Sequence, residues 1–125
     1  MLIGTRALIV DADEAARTLL DSVLAYCGAQ TAATSSAREA LAALDAVKPD
    51  AIVAAVTLPG EDGYWLVRAL QQRAVDVRAI PVIAVATRRE DGPDRTLAAG
   101  FHAHVTKPVD PWELCRIIAG ITRKA

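Results

Sequence analysis

The segment that decides the fold is PDAIVAAVTLPGEDGYWL, which runs from Pro49 to Leu66. Its apolar run, Ala51–Val56, has the length of a strand and lacks polar alternation, as is typical of a strand covered on both faces. A Pro-Gly loop follows, and a helical pattern begins at Tyr64. The segment therefore predicts a buried strand, a loop and a helix, and no acidic residue lies between Ala54 and Thr57, where the strand ends.

Four further runs of strand length flank this segment, and a helical pattern follows each of them. The runs are RALIV (Arg6–Val10), AQTAAT (Ala29–Thr34), IPVIAVA (Ile80–Ala86) and HAHVT (His102–Thr106). The last helix is predicted over Pro111–Arg123, with Asp110 as its N-cap. Because strands and helices alternate with short connections, we expect a doubly wound, five-stranded parallel sheet with helices on both faces.

Length and composition limit the classes of function. A chain of 125 residues is expected to form one domain over residues 1–125. The net charge of −1 gives no electrostatic reason to expect direct binding of nucleic acid or of a membrane surface. No apolar run approaches the roughly 20 residues that span a bilayer, and no signal peptide is apparent. Cys27 and Cys115 are far apart in sequence, so we expect two buried free thiols in a reducing cytoplasm rather than a disulfide.

In parallel sheets of this kind, functional residues collect at the carboxyl ends of the strands. Four segments around these strand ends are distinctive, namely LIVDADEAARTLL, KPDAIVAAVTLPGEDGYWL, IPVIAVATRRED and LAAGFHAHVTKPVDPWEL. In their order and spacing, the whole chain resembles a response-regulator receiver domain of two-component signalling. The resemblance implies the flavodoxin-like (βα)5 fold, a cytoplasmic location and a signalling rather than an enzymatic function.

The resemblance also implies a set of functional positions at the strand ends. In the family, an acidic pair after the first strand binds Mg²⁺, and an Asp at the end of the third strand accepts a phosphoryl group from a phosphohistidine. In this chain the acidic pair falls on Asp11 and Ala12, and the acceptor position falls on Ala55. The family's phosphate-binding hydroxyl falls on Ala86, and its lysine is present as Lys107. Three of the five positions are therefore alanine.

Neighbouring polar residues leave alternatives open. Asp13 is expected to act at a helix N-terminus, and Asp62 is expected to bond local backbone in its loop. Either of them is an alternative, non-standard phosphoacceptor. Thr87 directly follows Ala86, which occupies the family's hydroxyl position. A shift of the fourth strand that placed Thr87 in that position would turn the core side chains of the strand to the other face.

The resemblance also assigns residues to the family's metal-binding and switch positions. Asp11 and Lys107 are expected to form a partly buried ion pair, so Mg²⁺ binding is expected to be weak or absent and no cofactor is expected. Asp11 with Asp13 is the alternative metal pair. The family's aromatic switch position falls on His104, for which, as for His102, a structural or surface role is expected.

The sequence thus predicts a degenerate receiver, a pseudo-receiver that has lost Asp phosphorylation and acts as a protein-interaction module. The expected partner is a histidine kinase, an output domain or another receiver, and homodimerisation is left open. The chain is either a standalone protein or part of a hybrid sensor histidine kinase or a larger response regulator. The remaining alternative is a flavodoxin-like domain that binds a small ligand or anion beside Lys107. An enzyme is not expected, because no nucleophile–base pair is visible.

Overall fold

The computed structural model of the protein describes residues 1–122, and a five-stranded parallel sheet forms its centre. The strands are β1 (Arg6–Val10), β2 (Gln30–Thr34), β3 (Ala51–Ala55), β4 (Val82–Ala86) and β5 (Ala103–Thr106). The helices are α1 (Glu14–Tyr26), α2 (Ala37–Val47), α3 (Gly63–Gln71), α4 (Val75–Arg78), α5 (Pro93–Ala99) and α6 (Pro111–Ile121). The strand order is β2-β1-β3-β4-β5, which confirms the predicted doubly wound, flavodoxin-like fold.

The core consists of two apolar layers, one on each face of the sheet. Side chains of α2 and α3 cover one face, and side chains of α1 and α6 cover the other. Strand β3 contributes to both layers, since Ile52 and Ala54 pack with α2 and α3 while Ala51 and Val53 pack with α1 and α6. This placement explains why the β3 segment is apolar without alternation.

Several predicted boundaries need correction. The helical turn α4 was not predicted, and because it occupies the chain before Pro81, β4 begins at Val82 instead of Ile80. Strand β2 begins at Gln30, β3 ends at Ala55 and β5 begins at Ala103, so each is one residue shorter than predicted.

The start of α6 agrees with its prediction. The Asp110 carboxylate accepts the N–H groups of Trp112 and Glu113 at 2.9 and 3.3 Å, and Pro111 follows at the first helical position. The helix ends at Ile121 with Thr122 as its C-cap, before the predicted end at Arg123, which itself lies outside the described residues.

The prediction of two free thiols is wrong, because Cys27 and Cys115 form a disulfide. Cys27 ends α1 and Cys115 lies on the buried face of α6, and both contribute to the same core layer. Their Cα atoms are 6.8 Å apart although 88 positions separate them in sequence. The fold, rather than any local cysteine spacing, therefore creates the pair.

None of the described helices is long and apolar enough to cross a membrane.

Candidate functional site

The candidate site lies at the edge of the sheet where the carboxyl ends of β1, β3, β4 and β5 meet. The register pairs Val10 with Ala54 and Ala55 with Val85, so the residues that follow β1 and β4 flank the end of β3. Ala86 pairs with Thr106, which brings the start of the β5–α6 loop to the same edge. The structure thus brings together the predicted positions that follow these strands.

Asp11 and Lys107 form the expected ion pair across this edge. The Asp11 Oδ2 atom lies 3.6 Å from the Lys107 Nζ atom, and only 4% of Asp11 is exposed. Its Oδ1 atom accepts the N–H of Asp13 at 3.0 Å, whereas the buried Oδ2 atom has no hydrogen-bond partner. The lysine charge is therefore the main compensation for a carboxylate that burial would otherwise disfavour.

Ala12 and Asp13 lie beside Asp11 but not in the buried part of the site. Ala12 is exposed. Asp13 is the N-cap of α1, and its carboxylate accepts the N–H of Ala16 at 3.2 Å. The predicted helix-terminal role of Asp13 is therefore confirmed.

The acceptor and hydroxyl positions are filled by methyl groups. Ala55 is 6% exposed and Ala86 is fully buried, while Thr87 is exposed at the surface. A methyl group offers neither a nucleophile nor an oxygen ligand, and it needs no hydrogen-bond partner in the interior. These two positions can therefore be buried without a polar contact.

The loop after β3 is held by local backbone contacts. Asp62 is the N-cap of α3, and its Oδ1 atom accepts the N–H of Trp65 at 2.9 Å, which confirms its predicted role. The next residue must be glycine, because a Cβ atom on Gly63 would lie 2.6 Å from the carbonyl oxygen of Ala55. The start of α3 thus packs directly on the end of β3.

Glu90 is a site residue that the sequence analysis missed. It lies in the loop between β4 and α5, and its Oε1 atom accepts the N–H of Thr87 at 2.7 Å. Its Oε2 atom accepts the hydroxyl of Thr57, in the loop after β3. Burial raises the pKa of the Glu90 carboxyl, but the hydrogen bonds from Thr57 and Thr87 and the charge of Lys107 lower it more, so the pKa lies below its ordinary value. Glu90 is therefore ionised at neutral pH.

The next residue, Asp91, connects the same loop to α3. Asp91 accepts the hydroxyl of Tyr64 at 2.7 Å and lies 3.3 Å from the guanidinium of Arg95. Burial, the hydrogen bond to Asp91 and the charge of that carboxylate raise the pKa of Tyr64 to about 12. The tyrosine is accordingly a hydrogen-bond donor at neutral pH.

The two histidines make structural hydrogen bonds at β5. The Nδ1 atom of His104 lies 2.8 Å from the hydroxyl of Thr96 on α5, and the Nδ1 atom of His102 accepts the N–H of Val82 at 3.0 Å. Within residues 1–122, no group of three or more His, Cys, Asp or Glu side chains is arranged to hold a metal ion. The predicted structural roles of His102 and His104 agree with these contacts.

The fold and the strand-end geometry define a receiver-type α/β protein. The family model of the response regulator receiver domain matches residues 7–119, and the chain belongs to this family. Receiver domains are signalling modules that interact with histidine kinases and output domains.

Two curated relatives show the range of chains in which similar sequences occur. An uncharacterized 14.6 kDa protein in the sodA1 3′ region of Leptolyngbya boryana is 36% identical over 112 residues, which cover 89% of this chain and 85% of that protein. Hybrid signal transduction histidine kinase D of Dictyostelium discoideum is 32% identical over 132 residues, which cover 99% of this chain but 8% of the kinase. The chain also spans about half the length of several transcriptional regulators that it matches.

A solved structure supports the same fold. The receiver domain of the sensor histidine kinase PA1611 from Pseudomonas aeruginosa PAO1 has a TM-score of 0.84 and 26% identity, covering 94% of this chain and 97% of that one. That receiver has a magnesium ion coordinated in its active-site cleft.

Proposed function

We propose that this chain is a pseudo-receiver, a single receiver domain over residues 1–125 that works in two-component signalling without Asp phosphorylation. The observation that carries the proposal is Ala55, whose methyl group lies at the end of β3, where the family's phosphoacceptor is expected. On this proposal the domain is a regulatory protein-interaction module rather than a phosphoryl carrier.

The chemistry of phosphoryl transfer supports this view. A carboxylate attacks phosphorus effectively only when a cation neutralises the charge on the phosphoryl oxygens, and Mg²⁺ is held by several oxygens in octahedral geometry. Asp11 offers one carboxylate, and it is already paired with Lys107. Asp13 and Asp62, the alternative acceptors, use their carboxylates as helix N-caps, which does not favour either as a nucleophile. Mg²⁺ binding should accordingly be weak or absent.

The partner follows from the family. A histidine kinase, an output domain or another receiver, including a second copy of this chain, is the proposed partner class. The match to part of a hybrid kinase supports a place in a larger signalling assembly, either as a separate chain or as one domain of it.

Acetyl phosphate, a small phosphoryl donor, tests the proposal directly. The protein is incubated with acetyl phosphate and Mg²⁺, and intact mass and peptide mapping are recorded beside a receiver with an intact acceptor Asp. We expect an adduct on the control receiver and none on this chain. An adduct on the peptide 51–57 would overturn the proposal, and one on Asp62 or Asp13 would establish the non-standard acceptor in its place.

A further inference from the structure

The carboxylate of Glu90 joins two loops that belong to neighbouring strands. It accepts the N–H of Thr87, just after β4, at 2.7 Å, and it accepts the hydroxyl of Thr57, just after β3. The first contact closes a local turn, but the second spans 33 positions of sequence. Glu90 therefore fixes the β4–α5 loop to the β3–α3 loop.

The position of this carboxylate is set by the sheet. Ala55 and Val85 are register partners, so Thr57 and Thr87 each lie two residues beyond a paired position on adjacent strands. The carboxylate they bind consequently lies at the edge formed by the ends of β3 and β4, where Ala55 and Ala86 provide only methyl groups. The charge of Lys107 favours the ionised form of Glu90 at this edge.

We propose that Glu90 is an internal carboxylate that takes the place of a bound phosphoryl anion and holds the β4–α5 loop closed without phosphorylation. Like a phosphoryl group at this edge, it presents negative oxygens to a backbone N–H and a hydroxyl, with a smaller contribution from the positive charge of Lys107. This inference deepens the proposed function and rests on it, because it names what keeps the unphosphorylated site in one state.

Further contacts connect the closed loop to α5. Asp91, next to Glu90, accepts the Tyr64 hydroxyl at 2.7 Å and pairs with Arg95 on α5. The Thr96 hydroxyl on α5 lies 2.8 Å from the Nδ1 atom of His104 on β5. The loop is thus paired with Arg95, and the next residue of α5, Thr96, contacts β5, so release of Glu90 should loosen the start of α5 as well.

Amide hydrogen exchange over residues 87–92 tests the proposal. Glu90→Ala removes both hydrogen bonds, whereas Glu90→Gln keeps the shape of the side chain and removes its charge. Asp94→Asn is the matched control, because it removes one negative charge from the exposed first turn of α5. In Glu90→Ala we expect the Thr87 amide to exchange roughly tenfold faster, which corresponds to about 1.4 kcal/mol in the opening equilibrium. Glu90→Gln should give a smaller increase, and Asp94→Asn should match the wild type.

Addition of acetate distinguishes the loss of the Glu90 carboxylate from a general loosening of the β4–α5 loop. Acetate is a free carboxylate, and it should slow exchange in Glu90→Ala relative to chloride at the same ionic strength, with no effect on the wild type. Wild-type exchange rates in Glu90→Ala, or equal acetate effects on both proteins, would overturn the inference. The measurement uses no phosphoryl donor, so its failure is distinguishable from failure of the proposed function, which only a phosphoryl adduct shows.

Discussion

Restoration of the acceptor carboxylate should destabilise this protein when no metal is present. The substitution is Ala55→Asp, at a position that is 6% exposed. Val10 and Ala54 are register partners, so the next residues along the two strands, Asp11 and Ala55, are neighbours at about 5 Å, the usual spacing of paired strands. The new carboxylate would therefore be buried beside the Asp11 carboxylate, whose Oδ2 atom already lacks a hydrogen-bond partner.

The size of the effect follows from three contributions. Taking the strand spacing of about 5 Å as the separation of the charges, two carboxylates repel by about 3 kcal/mol at an effective dielectric constant near 20. Lys107, 3.6 Å from Asp11, offsets part of this repulsion, while partial burial of the new carboxylate adds a desolvation cost. We expect a net loss of about 1–3 kcal/mol in the free energy of unfolding. Ala12→Asp is the control, because Ala12 is exposed and its substitution should change stability by less than about 0.5 kcal/mol.

Denaturant melts in chelator and in Mg²⁺ measure these effects. The double variant Ala12→Asp with Ala55→Asp should be destabilised in chelator by about as much as Ala55→Asp alone. Mg²⁺ should recover part of the loss in the double variant, since a ligand bound only by the native state stabilises it. If Ala55→Asp is as stable as the wild type in chelator, the edge of the sheet is still solvated and shaped for an anion, and the reasoning from burial fails.

Three further outcomes are expected. A Mg²⁺ titration followed by Trp65 fluorescence should show no saturable change in the wild type, and saturation below about 1 mM would contradict the argument from ligand number. In a Tyr26→Phe variant, the phenolate absorbance of Tyr64 should appear with a midpoint near pH 12. The free energy of unfolding should fall as pH rises from about 10 toward that value, because the folded state retains the proton more strongly. A midpoint near 10 would refute burial of this hydroxyl. Cys27→Ser should lower the free energy of unfolding by up to about 4.6 kcal/mol under oxidising conditions, the chain-entropy value for a separation of 88 residues. Reductant should lower the free energy of unfolding of the wild type toward that of the variant. If reductant does not change the stability of the wild type, the disulfide is not stabilising.

The sequence predicted those features that depend on local pattern. The apolar run of β3 identified a strand covered on both faces, and the order Asp110 then Pro111 located the start of α6. Both follow from short-range rules of periodicity and capping. The order of the elements was then enough to place Asp11 and Lys107 at one edge of the sheet, because parallel strands end on the same side.

The features that were missed depend on proximity that only the fold creates. The disulfide joins α1 to α6 across 88 positions, and nothing near Cys27 or Cys115 in sequence indicates the pairing. Glu90 is one acid in the polar loop TRREDGPD, and its function at the site depends on Thr57 reaching it from another loop. Thr87 and Glu90 form a Thr-x-x-Glu pattern, in which the Glu side chain accepts the N–H of the Thr, and this pattern could have directed attention to Glu90.

The residues retained at the site have structural functions that do not require a phosphoryl group. Asp11 accepts the N–H of Asp13 and thereby orders the loop that begins α1, and the charge of Lys107 makes that buried carboxylate tolerable. Removal of Lys107 alone would leave the buried Asp11 carboxylate uncompensated, which is costly, whereas the Lys107 side chain is 36% exposed and reaches water. Ala55 has no such function, and its methyl group avoids a second buried carboxylate at the same edge. An ion pair beside apolar strand ends is therefore a stable combination by itself, and Glu90 joins the loops after β3 and β4 through hydrogen bonds from Thr57 and Thr87 that need no phosphoryl group.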